Sequence, residues 1–344
     1  MRKYLLPEKG RFYKANLHCH STISDGKWTP EEIKENYKAR GYSVVAYTDH
    51  SVFLTHNDLT DKDFIALNGY ELDVTESKPW STSPRTCHTC FISIDKDKTE
   101  QRLYYNNKFL EAQRDKVNIP EGVTNFHREY NHEFISWLME KGREEGFFVT
   151  YNHPVWSLEA DGAYMNYHGM HAMEIVNFSS CSLGHQDHNS VIYGNMLKNT
   201  KGLYCIAADD NHDRYPIGHP KHDSFGAFTM IKAESLDYNT IAKALLDGSF
   251  YASEGPEIHE LYVEDGTIHI KTSDVARISM ISESRFHQRA TAEHIGETIN
   301  EASFTLSDDA PVGEYVRFIL RDLQGKEAYT NAYYVDEFTA ENEA

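Results

Sequence analysis

From the start of the chain to about residue 254, short apolar runs alternate with longer stretches of helical period, the pattern of repeated strand-then-helix units. The runs predict strands at Phe12 to His18, Ser43 to Tyr47, Ile65 to Tyr70, Thr89 to Ile94, Phe147 to Tyr151, Ala172 to Val176, Leu203 to Ala207 and Phe225 to Ile231. One helix has its start written out. Thr29 suits the cap, Pro30 the first helical position, and Glu31 and Glu32 the positive end of the dipole, with Ile33 and Tyr37 on the apolar face. Phe134, Ile135, Leu138 and Met139, spaced at three and four, predict a second helix over about His132 to Glu145, and a third covers Tyr238 to Asp247. After Gly255-Pro256 the period shortens to alternating strands (Glu260 to Val263, Thr267 to Lys271, Ile278 to Ser282, Val316 to Arg321, Tyr329 to Val335) separated by turns such as Asp265-Gly266 and Gln324-Gly325. The expected fold is α/β over residues 1–255 followed by a small antiparallel β domain over 256–344, with Thr339 to Ala344 as a frayed end.

Charge and composition narrow the partners. The 344 residues include 53 acidic and 34 basic side chains, a formal charge of -19. A long polyanion would be repelled, and no basic track offsets this, so nucleic-acid polymers are not expected partners. No apolar stretch reaches the length of a signal peptide or a membrane span, so a cytoplasmic protein without a membrane partner is expected. Five scattered cysteines fit reduced thiols rather than disulfides. Cys87 and Cys90 read as alternating strand positions, and Cys19 as an apolar filler. The 19 histidines, several beside Asp or Asn, ask for a metal explanation.

Placed on the predicted strands, the metal-competent groups gather at strand ends. The first strand closes with His18-Cys19-His20; residues two apart in an extended backbone point the same way, so both imidazoles can grip one ion. Asp25 follows in a loop. Later strands bring Thr48-Asp49-His50, Glu71, His88, Asn152-His153-Pro154 and Asp209-Asp210-Asn211-His212. In barrels of parallel strands such ends converge on the active face. Asp49, Asp209 and Glu174 are candidates to orient histidine rings, although a charge in an apolar strand, as at Glu174, equally suits a pairing with Arg. Arg214, Lys221 and His222 are candidates to meet a substrate phosphate, with solvated loop charges as the plainer reading.

These motifs, in this order over residues 16 to 212, resemble those of the PHP family, named for polymerase and histidinol phosphatase. The resemblance implies a distorted (β/α)7 barrel and a metal-dependent phosphoesterase. It implies one ion held by His18, His20, Glu71 and Asp210, a second by Glu71, His88 and His153, and a third by Asp25, His50 and His212. The stretches Asp223-Ser224-Phe225-Gly226-Ala227-Phe228 and Gly248 to Pro256 are similar to the carbaryl-hydrolase-like branch, where a small β domain follows the barrel.

Imidazole and carboxylate ligands suit Zn, Mn or Fe. Three such ions with Asp25, Glu71, Asp210 and one hydroxide would leave a centre of about +2, matched to a phosphate dianion. The expected reaction is hydrolysis of a small phosphorylated molecule, as a phosphatase or phosphodiesterase, by a hydroxide held at a di- or trinuclear site. Two alternatives remain open: cleavage of a carboxyl ester, carbamate or amide by the same cluster, and a non-catalytic metal- or carbohydrate-binding module.

Overall fold

A computed structural model describes residues 2–307, 309 and 311–339. Ten strands come first: β1 (Lys3–Tyr4), β2 (Arg11–Asn16), β3 (Tyr42–Tyr47), β4 (Ile65–Thr75), β5 (Thr86–Ser93), β6 (Phe147–Asn152), β7 (Ala172–Asn177), β8 (Tyr204–Ala208), β9 (Phe228–Ala233) and β10 (Phe250–Ser253). Neighbours run in the order β9-β2-β3-β4-β5-β6-β7-β8. Pairs β2/β3, β3/β4, β6/β7 and β7/β8 are parallel.

The all-parallel expectation fails at one edge, where β9 runs antiparallel to β2, and in the middle. β5 runs antiparallel to both β4 and β6, because the connection from β4 to β5, residues 76–85, holds only a short 3-10 turn, Trp80–Thr82, and an antiparallel pair needs no crossover helix. The curled sheet brings β8 back beside β2 and β9 without a continuous ladder among the described residues. The seam is made by a single parallel bridge between Cys19 and Asn211, by His20 N–H on the Asn211 carbonyl (3.1 Å) and Asp210 N–H on the His18 carbonyl (2.9 Å), and by Thr229 Oγ1 bonded to both the N–H and the carbonyl of Ala207. The expected (β/α)7 barrel is therefore not a closed sheet.

Inside the curl, Ala15, Leu17, Val44, Ala46, Ile65 and Leu67 pack together with Tyr238, Ile241 and Leu245 of the helix Tyr238–Leu246. That helix fills the amino-terminal end of the strands and leaves the carboxyl end to polar side chains. On the outside, Ile33 and Tyr37 of the helix Pro30–Lys38 pack against Val45, Tyr47 and Cys19. The helix begins as its sequence requires: Thr29 accepts from Glu32 N–H while the Glu32 carboxylate takes the Thr29 N–H, with Pro30 following, a reciprocal cap that satisfies two otherwise orphaned donors.

The remaining strands are β11 (Ile258–Glu264), β12 (Thr267–Val275), β13 (Arg277–Ser282), β14 (Gln288–Thr291), β15 (Ile299–Thr305), β16 (Tyr315–Arg321), β17 (Glu327–Thr330) and β18 (Tyr333–Tyr334). One sheet has the order β1-β11-β12-β15; in the other, β14-β13-β16-β17 continues through β10 into the curled sheet. Leu261, Ile270, Ile278, Val316 and Phe318 fill the space between them. Leu6 packs there too, and β1 pairs with β11, so the first residues join the C-terminal strands across the expected boundary at 255/256. β14 and β15 escape sequence reading because they are sheet-edge strands with largely polar, exposed residues. The single run expected over Tyr329 to Val335 is broken at Asn331, whose side chain accepts from Cys205 N–H and donates to the carbonyls of Gly248 and Phe250. Of the segment expected to fray, Thr339 ends a short helix, and 340–344 lie outside the described residues.

Candidate metal centre

The strand ladder stops at Asn16. Beyond it His18 and His20 turn into a pocket while Cys19 joins the outer core. Gly26 lets the loop carrying Asp25 lie against this segment: a Cβ there would sit 2.3 Å from the His20 carbonyl oxygen. His50 follows β3, Glu71 lies within β4, and His88 stands near the start of β5, facing Glu71 because the hairpin folds back. His153 follows β6, and Asp210 and His212 follow β8. His153 (φ 29°) and Asp210 (φ 53°) hold left-handed backbone, a cost of about 1 kcal/mol each that a functional site tolerates when its surroundings impose it.

All nine residues converge around Glu71 and Asp210. His18 Nε2 is 3.1 Å from His20 Nε2 and 3.2 Å from Asp210 Oδ1. His20 Nε2 is 3.0 Å from the same Asp210 oxygen, and Glu71 oxygens lie 3.3 and 3.5 Å from the two rings. His88 Nδ1 and His153 Nε2 approach Glu71 Oε1 at 3.0 and 3.5 Å, and His50 Nδ1 approaches Oε2 at 2.8 Å. On the outer side, His50 and His212 flank Asp25 Oδ1 at 3.6 and 3.3 Å.

This arrangement suits divalent cations on two grounds. Donor atoms about 2.1 Å from one ion stand roughly 3.0 Å apart at right angles and about 3.4 Å apart at tetrahedral angles, which matches the spacing around His18 and His20. In addition, Glu71 Oε2 and Asp25 Oδ1 are buried without a hydrogen-bond partner, as is His20 Nδ1, and buried polar atoms are otherwise nearly always satisfied. The His50 nitrogen near Glu71 Oε2 is therefore a close approach without hydrogen-bond alignment. Three rings are fixed in orientation from behind: Glu174 Oε1 lies 2.6 Å from His18 Nδ1, the Asp210 carbonyl 3.0 Å from His212 Nδ1, and Ser157 Oγ 3.1 Å from His153 Nδ1. Each leaves Nε2 directed at the centre.

Burial alone would push the Glu71 and Asp210 carboxyls up, but surrounding imidazoles, His88, His18 and His50 for Glu71 and His18 and His20 for Asp210, hold both below the usual carboxylate range. Both therefore present negative charge. His20 goes the other way: burial, with His50 and His212 nearby, lowers it to about 4, which keeps it a neutral, ligand-competent imidazole.

Two sequence expectations need correction. Neither Asp49 nor Asp209 orients a histidine ring in this site. Asp49 takes the N–H and hydroxyl groups of Ser21 and Ser24, and Asp209 takes Tyr37 Oη and the N–H groups of Phe225, Gly226 and Ala227. Both spend their oxygens on loops because four donors already surround each. Asp187, which no motif marked, does the same for the loop after His153 by accepting from Val155 and Trp156 N–H.

The centre opens into a cavity of about 440 Å³. Arg214 and Lys221 line it, as do Lys108, Phe109, Trp80 and Trp156. Arg214 is engaged by Asp25 Oδ2 at 3.0 Å. His222 is the third correction: it does not line the cavity, but bonds the Tyr215 carbonyl and packs against Trp28 and Phe225. Lys108 and Phe109 come from the long stretch between β5 and β6, where no periodicity flagged them. Among the described residues no helix is long and apolar enough to cross a membrane.

The side chains thus define a polyhistidine and carboxylate centre of the kind that holds divalent cations. No family model matches the sequence, and no curated protein matches it. Similar solved structures include a two-domain protein of Bacteroides vulgatus containing a predicted PHP-like metal-dependent phosphoesterase, at 15% identity over 96% of this chain and 98% of that one, TM-score 0.45. They also include a Bifidobacterium adolescentis protein described as a candidate metal-dependent phosphoesterase (15% identity, 63% and 93% covered, TM-score 0.37). A third is an amidohydrolase of Chromobacterium violaceum with sulfate bound and no metal (18% identity, 58% and 87% covered, TM-score 0.34). These likenesses are too distant to assign an activity, and the chemistry has to come from this chain's own side chains.

Proposed function

We propose that the chain is a metal-dependent phosphoesterase for a small phosphorylated molecule. The observation that carries this reading is the convergence of nine imidazole and carboxylate groups, with buried oxygens of Glu71 and Asp25 left over, at the floor of a pocket whose rim adds Lys108, Arg214 and Lys221. His18, His20, Glu71 and Asp210 would hold one ion, His88 and His153 a second shared with Glu71, and Asp25, His50 and His212 a third. Bound Zn, Mn or Fe supplies Lewis acidity, acidifying water and polarising a phosphoryl oxygen. The chain's own contribution is position and field. Glu71 and Asp210 keep the donors converged, Glu174 fixes the His18 ring, and the rim cations attract and orient an anionic group. Among the described residues Lys108 and Lys221 have no carboxylate within ion-pair distance, so their charge is free for substrate. Trp156 and Phe109 form an apolar wall that limits water and accepts a leaving group.

That wall, with the resemblance of residues 223–256 to carbaryl-hydrolase-like proteins, favours a carboxyl ester or carbamate as the second substrate reading. Assays of the metal-loaded protein on nitrophenyl phosphate, bis-nitrophenyl phosphate and naphthyl acetate separate the two. Metal-dependent release from either phosphate ester is expected. Release from the acetate alone overturns the phosphoesterase reading, and tight metal binding without turnover of any of the three points to a binding module.

A further inference from the structure

A second constellation lies outside the metal centre, and the proposed hydrolysis does not use it. Cys181, on the short helix Phe178–Ser182, has its Sγ 3.5 Å from His188 Nδ1. The other ring nitrogen, Nε2, is 3.1 Å from Glu254 Oε1. Glu254 belongs to the Gly248 to Pro256 stretch, at the turn after β10, so the three residues come from separate segments. The carboxylate is itself anchored: Oε2 accepts from Glu327 N–H at 3.4 Å, and Lys326 Nζ donates to the Glu254 carbonyl at 3.1 Å. Glu254 is the charged group in contact with the imidazole and, with Cys181, the one that acts on it.

Thiol, imidazole and carboxylate in series form the arrangement that activates a sulfur nucleophile: the ring takes the thiol proton, and the carboxylate fixes and stabilises the resulting imidazolium. The other cysteines offer a contrast within the same chain. Cys19, Cys87, Cys90 and Cys205 are buried, and burial pushes each of those thiols up. Cys181 is partly exposed, and His188 is 44% exposed at its side chain, so a small reagent can reach the pair. The hydrogen bonds to Cys181 and Glu254 also push His188 up to about 10.

We propose that Cys181, His188 and Glu254 form an activated-thiol site that undergoes exchange with low-molecular-weight disulfides. The Cys181 proton passes to His188 Nδ1, and the thiolate attacks one sulfur of the disulfide. The new bond joins Cys181 Sγ to that sulfur, the old disulfide bond breaks, and the second sulfur leaves as a thiolate that takes up a proton. Cys181 is thereby oxidised, the attacked sulfur keeps its oxidation state in the mixed disulfide, and the leaving sulfur is reduced.

The test treats the full-length protein at pH 6.5 with oxidised glutathione, and separately with iodoacetamide, and follows adducts by peptide mass spectrometry. Cys181 is expected to be labelled first among the five cysteines, and Cys181→Ser to abolish that fast phase. His188→Gln should slow labelling of Cys181 about tenfold, reflecting the smaller thiolate fraction offset by higher intrinsic nucleophilicity. Glu254→Gln should slow it less. Circular dichroism and thermal melting of both variants check that the fold is retained. Equal Cys181 rates in folded wild type and His188→Gln, or first labelling at another cysteine, would overturn the proposal.

Discussion

Two buried carboxylates a short distance apart in this molecule are treated in opposite ways. Asp209, just after β8, has both oxygens filled by one tyrosine hydroxyl and three backbone N–H groups. Glu71, within β4, faces imidazoles on every side and has an oxygen with no hydrogen bond. The first is a structural anchor: it replaces lost hydration with fixed dipoles and holds the 225–227 loop in place. The second has ionic neighbours but incomplete hydrogen bonding, which fits its proposed role as a metal ligand. Adjacent Asp209 and Asp210 differ in their partners: Asp210 faces His18 and His20 and takes one bond from Asn177. Burial and charge alone therefore do not separate the two; the partners of each oxygen do.

Substitutions can break this contrast. The largest effect is expected at Glu71→Gln, where turnover of a phosphate ester should fall roughly a thousandfold. Metal content by elemental analysis should drop as well. Wild type in metal at a hundred times its dissociation constant should gain about 2.7 kcal/mol of stability, and this gain should shrink in the variant. Normal metal content and turnover in Glu71→Gln would erase the distinction. Asp209→Asn should act on the fold: an amide facing three N–H donors costs about 3 kcal/mol. Chemical denaturation measures that loss, and metal stoichiometry should stay close to wild type. The smallest and sharpest test is Glu174→Gln, which leaves all nine donors in place but weakens the grip on the His18 ring. Metal affinity by competition titration should weaken about tenfold to a hundredfold; an unchanged affinity would reduce Glu174 to a packing partner.

The donor set was legible because its residues recur as local pairs and triplets beside strands, where extended geometry ties spacing to direction. The helix at Pro30 was legible for a similar reason, since its reciprocal cap lies within four residues. What escaped depends on distance along the chain. Nothing around Asp49 says that its oxygens would be taken by Ser21 and Ser24, and nothing around Asp209 announces Phe225 to Ala227. The reversal of β5 turns on a short connection, whereas the apolar run of that strand reads the same in either direction. Lys108 and Phe109 come from a long irregular segment whose position is set only when it folds over the pocket.

The seam of the curled sheet has a further consequence. Its two lips carry His18 with His20 and Asp210 with His212, and the Asn16–Asn211 pair beside them joins positions 195 residues apart. An ion held by the proposed site would act as a clasp on a very long loop, adding coordinate bonds where no continuous ladder runs among the described residues. Chelation should then be felt first as faster amide hydrogen exchange along the two lips, before any loss of the hydrophobic interior beneath them.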